Sequence, residues 1–367
     1  MIDQAVEIKV ATLSGKIEAH TQQESRTLLI VGPLPPPVGG GTRTLQVFLS
    51  ELSTYRNLTI IQVNTAPHHH YQARTQRPIV DTWGRFWRIF HQYMMAIQHA
   101  DVVLVFAANS FIQTLAPFLL LPAKALRRPI YLKPFGGDLD CFIERQSKIR
   151  KKILLLYLYR FNQIFIQTNQ AKKRLQALGC HNLTCLPGCR PKLTQTVTDR
   201  SATNENSNDC RLLFLSQIRR EKGIFVLLDA LCLLKQQSDL DANVTVDFYG
   251  PIHPAVELEF LKTIEETPNA HYRGLTDAKA VTHLMQHHDL FVLPTFYDGE
   301  GHPGVLIEAM QAGMPIVTTH HRAIPELIVD EKNGLLIPPL DAVSLADAIK
   351  RLALDSPLRS RMGTANQ

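Results

Sequence analysis

The sequence predicts an α/β protein of two Rossmann-like, doubly wound domains. Three observations lead there. With 367 residues, the chain exceeds what one hydrophobic core usually covers, and two domains are the natural expectation. Short apolar runs alternate with longer helix-periodic stretches in both halves, the pattern of parallel sheets covered by helices. Between the halves, residues 191–210 turn polar and almost free of large apolar side chains, as linkers do. The expected division is a first domain at 1–190, a linker at 191–210 and a second domain at 211–367.

The elements follow in order. Residues 27–31 form a short apolar strand that runs into Gly32 and then Gly39-Gly40-Gly41. A helix at 44–52 comes next, and strand, glycine-rich turn, helix is how a doubly wound domain begins. Residues 58–63, 102–106, 130–133, 164–167 and 183–186 supply further strands. After the linker, strands at 212–215, 244–249, 271–273, 290–293 and 315–318 alternate with helices. Those helices are expected at 224–235, 255–264, 278–287, 304–312 and 344–354.

Composition narrows the function classes. Hydrophobic residues make up 45% of the chain and charged residues 20%, an ordinary globular balance. The formal charge of +6 suits nucleic acid, an anionic membrane or phosphorylated substrates alike. No nucleic-acid motif accompanies it, so no nucleic-acid partner is expected. Six cysteines are scattered, and Cys180, Cys185 and Cys189 lie close to His181 without a Cys-x-x-Cys pair. Reduced thiols in a cytoplasmic protein are expected rather than a zinc site. Residues 1–25 are polar and mixed, unlike a signal peptide. No apolar run reaches the roughly 18–20 residues of a membrane-spanning helix. His68-His69-His70 reads as a solvated or acceptor-facing loop, since three consecutive side chains converge poorly on one ion. His287-His288 reads as helix C-terminal capping.

The chemistry concentrates in Phe291-Val-Leu-Pro-Thr-Phe-Tyr-Asp-Gly-Glu300-Gly-His-Pro-Gly-Val-Leu-Ile-Glu308. An apolar strand stops at Pro294, a loop carries Glu300, and Pro303 suits the first turn of a helix that Gly313 closes. Glu308 is then mid-helix, and Glu300 lies just before the helix N-terminus. That end presents unpaired N–H groups and a positive dipole end, suited to phosphate or sugar oxygens. A carboxylate accepts two hydroxyl hydrogen bonds, so paired glutamates suit a polyol such as a sugar or ribose. Glu221-Lys222-Gly223 follows a strand, and a lysine at such a turn can neutralise a diphosphate as a mobile point charge. Gly39-Gly40-Gly41 brings backbone N–H groups near an anion, but Thr44 stands where a dinucleotide fingerprint needs glycine.

Glu300-x7-Glu308, followed by Glu-Ala-Met-x-x-Gly-x-Pro-Ile-Val, resembles the signature of the retaining glycosyltransferases of family 4. The resemblance continues through Ala323-Ile-Pro-Glu326, Asn333-Gly334-Leu-Leu-Ile-Pro and Ala346-x-Ala-Ile349. It reaches back through Asp289-Leu-Phe-Val-Leu-Pro-Thr295 to Glu221-Lys222-Gly223, covering nearly all of 211–354. It implies GT-B architecture, with the two Rossmann-like domains facing a cleft, the acceptor on the first domain and the nucleotide sugar on the second. It implies a donor diphosphate on Lys222, a ribose on Glu308 and Glu300 at the donor sugar near the reaction centre. Arg219 and Arg220 are candidates for a second donor charge, because Gln217 stands where the family has arginine. Backbone groups at His302, Gly304, Val305, Gly40 and Gly41 are further donor candidates. Phe135-Gly136-Gly137-Asp138 follows a strand, and Phe135 replaces a histidine that touches the donor sugar in many relatives. Asp138 is an acceptor-side group or a helix N-cap, with Gly137 and Phe135 beside it.

The implied reaction is retaining transfer of a sugar from a nucleotide-diphosphate sugar to a glycan, lipid-linked or small-molecule acceptor, with no cofactor and no metal. Relatives also imply a closing helix beyond residue 354 that crosses back to the first domain, which this sequence is expected to lack. A nucleotide-sugar epimerase or phosphorylase of the same architecture, or a catalytically impaired binding protein, are the competing readings. The segments 83–90 and 148–158 mix bases with apolar residues. They suit core-facing helices with snorkelling bases, or peripheral contact with the cytoplasmic face of an anionic membrane.

Overall fold

The computed structural model describes residues 25–35, 40–66, 79–191, 209–236, 242–277 and 280–367. The chain divides into two compact units, Met1–Cys189 and Arg190–Gln367. The polar stretch expected as a linker lies mostly outside the described residues, as do Gly39 and His68-His69-His70.

Unit 1 alternates strands and helices: β1 (Arg26–Gly32), α1 (Gly40–Leu52), β2 (Leu58–Asn64), α2 (Ile79–Ile97), β3 (Val102–Ala107), α3 (Asn109–Thr114), α4 (Ala116–Ala125), β4 (Ile130–Pro134), α5 (Leu139–Glu144), α6 (Lys148–Leu158), β5 (Gln163–Ile166), α7 (Asn169–Ala177) and β6 (Leu183–Cys185). Its sheet runs β2-β1-β3-β4-β5-β6, with every pairing parallel. Side chains alternate across the pleat, so β3 feeds two cores at once. Val103 and Val105 pack with Tyr93, Ile97 and Leu119 on one face. Leu104 and Phe106 pack with Ile30 and Leu45 on the other.

Unit 2 repeats the plan: β7 (Asp209–Leu215), a 3-10 turn at Arg220–Lys222, α8 (Ile224–Gln236), β8 (Asn243–Tyr249), α9 (Glu257–Glu266), β9 (Ala270–Gly274), α10 (Ala280–Gln286), β10 (Leu290–Leu293), α11 (Gly304–Gln311), β11 (Ile316–Thr319), β12 (Leu335–Ile337), α12 (Ala342–Leu354) and α13 (Ser356–Asn366). Its sheet runs β12-β11-β10-β7-β8-β9, again all parallel. All residues of β10 and β11 are buried. In both sheets the strand order reverses once, between β1 and β3 in unit 1 and between β7 and β10 in unit 2. Loops leaving the carboxyl ends of strands on either side of such a reversal diverge and leave a crevice where ligands bind.

The structure corrects three expectations and adds one helix within unit 2. Helix α1 starts at Gly40, not at residue 44, so Gly40 and Gly41 form its first turn rather than a loop. Strand β7 begins at Asp209 and takes the last two residues of the expected linker; Cys210 is buried there and pairs in register with Val244. Strand β12, too short and too close to Gly334 to stand out, completes the second sheet. A further helix, α13, follows α12: Asp355 caps it by accepting from the Leu358 N–H, and Leu358 and Met362 are buried. The Asn366 amide then donates to the carbonyls of Met314 and Asn333 within the same unit. The expected capping by the histidine pair is found, with a ring nitrogen of His287 at 2.8 Å from the His283 carbonyl and one of His288 at 2.7 Å from that of Leu284.

Two backbone and core features have measurable consequences. Gly223 sits at φ +79°, and a Cβ there would collide with the Pro294 carbonyl. This close approach presses the loop after β7 against the loop after β10. Gly223→Ala is expected to cost at least about 2 kcal/mol through left-handed strain and the clash. Gly40→Ala, whose Cβ would meet nothing within 4 Å, is expected to be neutral or stabilising by up to ~1 kcal/mol. Urea unfolding of the two variants checks both, and equal effects would contradict the close-approach account.

Lys133 on β4 is buried, and its ammonium donates to the Leu186 carbonyl at 3.5 Å. Burial pushes its pKa down from 10.5 to about 8, against the opposing influence of the Cys189 and Cys185 thiols. The unfolded chain therefore holds this proton up to higher pH than the folded one. Between about 8 and 10.5, stability is expected to rise with pH. Below that window the burial penalty is fully present, and Lys133→Met is expected to be more stable than the wild type by up to about 3 kcal/mol. The advantage should shrink as pH climbs through the window. Denaturant curves at neutral and alkaline pH measure it, and a difference that does not change with pH would refute the assignment.

Candidate active site

The site of unit 2 is built on its strand-order reversal. Strand β10 is buried throughout, and Pro294 ends it because it has no N–H for the ladder. The following loop returns to α11, whose N-cap is Pro303 at φ −59°, ψ 121° with no side-chain cap. Pro303 thus stands one residue before the first turn, and its carbonyl accepts from the Leu306 N–H at 3.0 Å. Gly304 and Val305 occupy that turn, where N–H groups lack intrahelical acceptors.

Backbone stitching holds this loop to the one after β7. The Phe296 N–H donates to the Glu221 carbonyl at 2.8 Å. Thr295, fully buried, places its hydroxyl 2.8 Å from Glu300 Oε2 and 3.2 Å from the Glu221 carbonyl. Its own carbonyl accepts from Thr319 Oγ1 at 2.5 Å. The Glu300 N–H closes a turn onto the Tyr297 carbonyl at 2.9 Å. Held this way, Lys222 Nζ donates to Glu300 Oε2 at 2.6 Å, with both side chains nearly buried. Lys222 also lies over the Tyr297 ring at 4.9 Å, and the Arg219 guanidinium over the same ring at 5.2 Å. Arg219 pairs with Glu221 at 3.3 Å. A hydrogen bond from backbone and the Arg219 charge hold the Glu221 carboxyl below its usual range against partial desolvation.

One turn along α11, Glu308 is buried and accepts from Arg190 Nε at 3.1 Å. The Arg190 guanidinium lies across the first turn, where a Cβ on Gly304 would overlap it. Glycine at 304 therefore leaves the helix start open to a planar cation. His302 is buried, with Nε2 3.3 Å from Glu326 Oε2 on the 3-10 turn Ile324–Glu326.

The sequence-predicted residues sort accordingly. Lys222, Glu300 and Arg219 meet around Tyr297, and Glu308, Gly304, Val305 and His302 lie on or beside the start of α11. Arg220 is not brought to this group: it pairs with Glu259 and covers the Phe225 ring at 4.5 Å. Gly40, Gly41, Phe135, Gly137 and Asp138 belong to unit 1, at the carboxyl ends of β1 and β4. There a Cβ on Gly41 would lie 2.9 Å from the Phe135 ring. Asp138 holds the N-cap position of α5 without a side-chain cap bond, and its Oδ1 instead accepts from Asn109 Nδ2 at 2.9 Å.

Three residues escaped the sequence reading. Thr295 and Glu326 were visible as motif letters, but their partners are far away in sequence. Arg190 stands at the polar boundary between the units, where no local pattern distinguishes it from a surface base.

An exchangeable ammonium, unpaired helix N–H groups and two carboxylates around one helix start form a place for an anion carrying hydroxyl-bearing groups on either side.

Residues 196–367 match the family model for glycosyl transferases group 1. A putative colanic acid biosynthesis glycosyltransferase of Escherichia coli is 30% identical over 193 residues, covering 50% of this chain and 45% of that protein. An amylovoran biosynthesis glycosyltransferase of Erwinia amylovora is 28% identical over 218 residues, covering 53% and 49%. The chain thus spans about half the length of these relatives. Among solved structures, the Anabaena protein HepE in complex with UDP matches 93% of each chain with a TM-score of 0.68 at 15% identity. That likeness shows the two-domain, Rossmann-like α/β fold over nearly the whole chain, and the second half, residues 196–367, is similar to the glycosyl transferases group 1.

Proposed function

We propose that the chain is a retaining glycosyltransferase of family 4 type. In this reading it moves a hexosyl group from a nucleotide-diphosphate sugar to a glycan or lipid-linked acceptor, at the cytoplasmic side of polysaccharide synthesis. The observation that carries the reading is the Lys222–Glu300 ion pair, 2.6 Å long, at the strand-order reversal beside the start of α11. The names of the colanic acid and amylovoran relatives support a polysaccharide product, and the UDP complex of HepE supports a nucleotide-linked donor.

The donor diphosphate takes Lys222 from Glu300 and receives the N–H groups of Gly304 and Val305. A developing negative charge on the departing phosphate meets the same ammonium and the positive end of α11. Glu308 accepts two ribose hydroxyls once the Arg190 guanidinium shifts from it, and Arg190 is then free to follow the phosphates. Glu300, released from Lys222, accepts hydroxyls of the donor sugar. The bond between the anomeric carbon and the diphosphate oxygen breaks as the acceptor oxygen bonds to the same carbon on the same face. The acceptor proton leaves with the departing phosphate, so no protein nucleophile and no metal is required. On unit 1, Asp138 and the Phe135-Gly136-Gly137 turn are the acceptor-side groups.

A thermal-shift and calorimetric screen of nucleoside-diphosphate sugars tests the reading. One donor is expected to stabilise the protein. Glu308→Ala and Lys222→Ala should each weaken it by on the order of tenfold or more, the cost of a lost charge-assisted hydrogen bond. Product analysis then separates the reactions, because a transferase releases nucleoside diphosphate with a new glycoside only when an acceptor is present. An epimerase would convert the donor alone. Folded protein that binds no donor would sink the proposal.

A further inference from the structure

Helix α6 (Lys148–Leu158) is apolar on two opposite faces. Leu154 and Leu158 point inward and join the core of unit 1. Ile149, Ile153 and Leu156, at i, i+4 and i+7, form a second stripe that is 75%, 43% and 52% exposed. Tyr159 continues it just past the helix end. A surface helix normally turns its polar residues outward, so an outer stripe of isoleucine and leucine marks a contact face.

The charge of the helix says what kind of contact. Lys148, Arg150, Lys151 and Lys152 crowd its first five positions, and the segment contains no acidic residue. Among the described residues, none of the four has an ion-pair partner. Positive charges at a helix N-terminus oppose the macrodipole, so this placement works against the stability of the helix. Bases that are costly for the fold and that flank an outward apolar stripe suit an external, extended negative surface. Their aliphatic stems can lie along the stripe while the charges reach outward.

A second feature of unit 1 has the same character. Trp83 and Trp87, at i and i+4 on α2, are each 59% exposed, and Phe86 between them stacks edge-on against Phe118 of α4. Exposed indoles with an apolar body and a polar edge favour the boundary between water and lipid. The alternative expectation from sequence, that both segments simply face the core, fails for these side chains.

We infer that α6 is a membrane-adsorbing element, and that its occupant is the headgroup region of an anionic lipid bilayer, entered by Ile149, Ile153 and Leu156 and held by Lys148, Arg150 and Lys152. Binding needs no donor, so this inference stands or falls separately from the proposed transferase activity.

Co-sedimentation of the full chain with vesicles tests it. One vesicle is phosphatidylcholine alone, and the other is an equal mixture with phosphatidylglycerol. Binding is expected to the mixed vesicles only, and to weaken as salt screens the bases. The variant Ile149→Ser/Ile153→Ser/Leu156→Ser should bind on the order of tenfold more weakly or worse, and Lys148→Gln/Lys152→Gln about tenfold more weakly. Circular dichroism and thermal unfolding of both variants verify that they remain folded. No binding of the wild type to the mixed vesicles would overturn the inference, as would equal binding by the serine variant. A wild-type dimer that the serine variant splits would overturn it too, because the stripe would then serve self-association.

Discussion

The contact between the loop after β7 and the loop after β10 is the constraint on which the site depends. Gly223 lets the backbone of one loop meet the Pro294 carbonyl of the other, and Phe296 and Thr295 bond to the Glu221 carbonyl across the same seam. Those two strands lie side by side at the point where strand order reverses. Without the seam, Lys222 and Glu300 would be on separate loops of separate βα units. With it, they form a nearly buried ion pair whose carboxylate is fixed by a threonine and whose ammonium is fixed by a tyrosine ring.

The same logic organises the rest of unit 2. The two glutamates at the helix start each have a cation opposite: Lys222 for Glu300 and Arg190 for Glu308. Burying a lone carboxylate is costly, and pairing offsets that cost. A pair of this kind can also be exchanged. On the proposed reading, an incoming diphosphate would compete for the cation, and incoming hydroxyls for the carboxylate. A donor that carries both would replace the two partners together, leaving no buried charge unmatched. A stable unliganded protein and the proposed charged binding site would then occupy the same few residues.

Much of this was legible in the sequence, for physical reasons that differ by element. Buried parallel strands such as 290–293 and 102–107 read as continuous apolar runs between turn residues, so the alternating fold was visible. The Glu300 and Glu308 spacing was legible because loop and helix lengths fix their separation locally. Helix α1 beginning at Gly40 was not, since glycine has poor helix propensity and only the Phe135 ring above Gly41 explains the bare first turn. Strand β7 began early because Cys210 is a small buried hydrophobe set among polar neighbours. Arg190 and Arg220 show the limit most clearly. Both are basic residues at loop boundaries, yet tertiary contacts turn one into the partner of Glu308 and tie the other to Glu259.

The most direct test of the central claim is a calorimetric comparison of nucleoside diphosphate binding to the wild type, Lys222→Ala and Glu300→Gln. If Lys222 is the diphosphate ligand and Glu300 its resident competitor, the first variant binds more weakly. The second then binds at least as tightly as the wild type, because its ammonium no longer has to leave a carboxylate. Unchanged binding in Lys222→Ala, with the protein folded, would contradict the account.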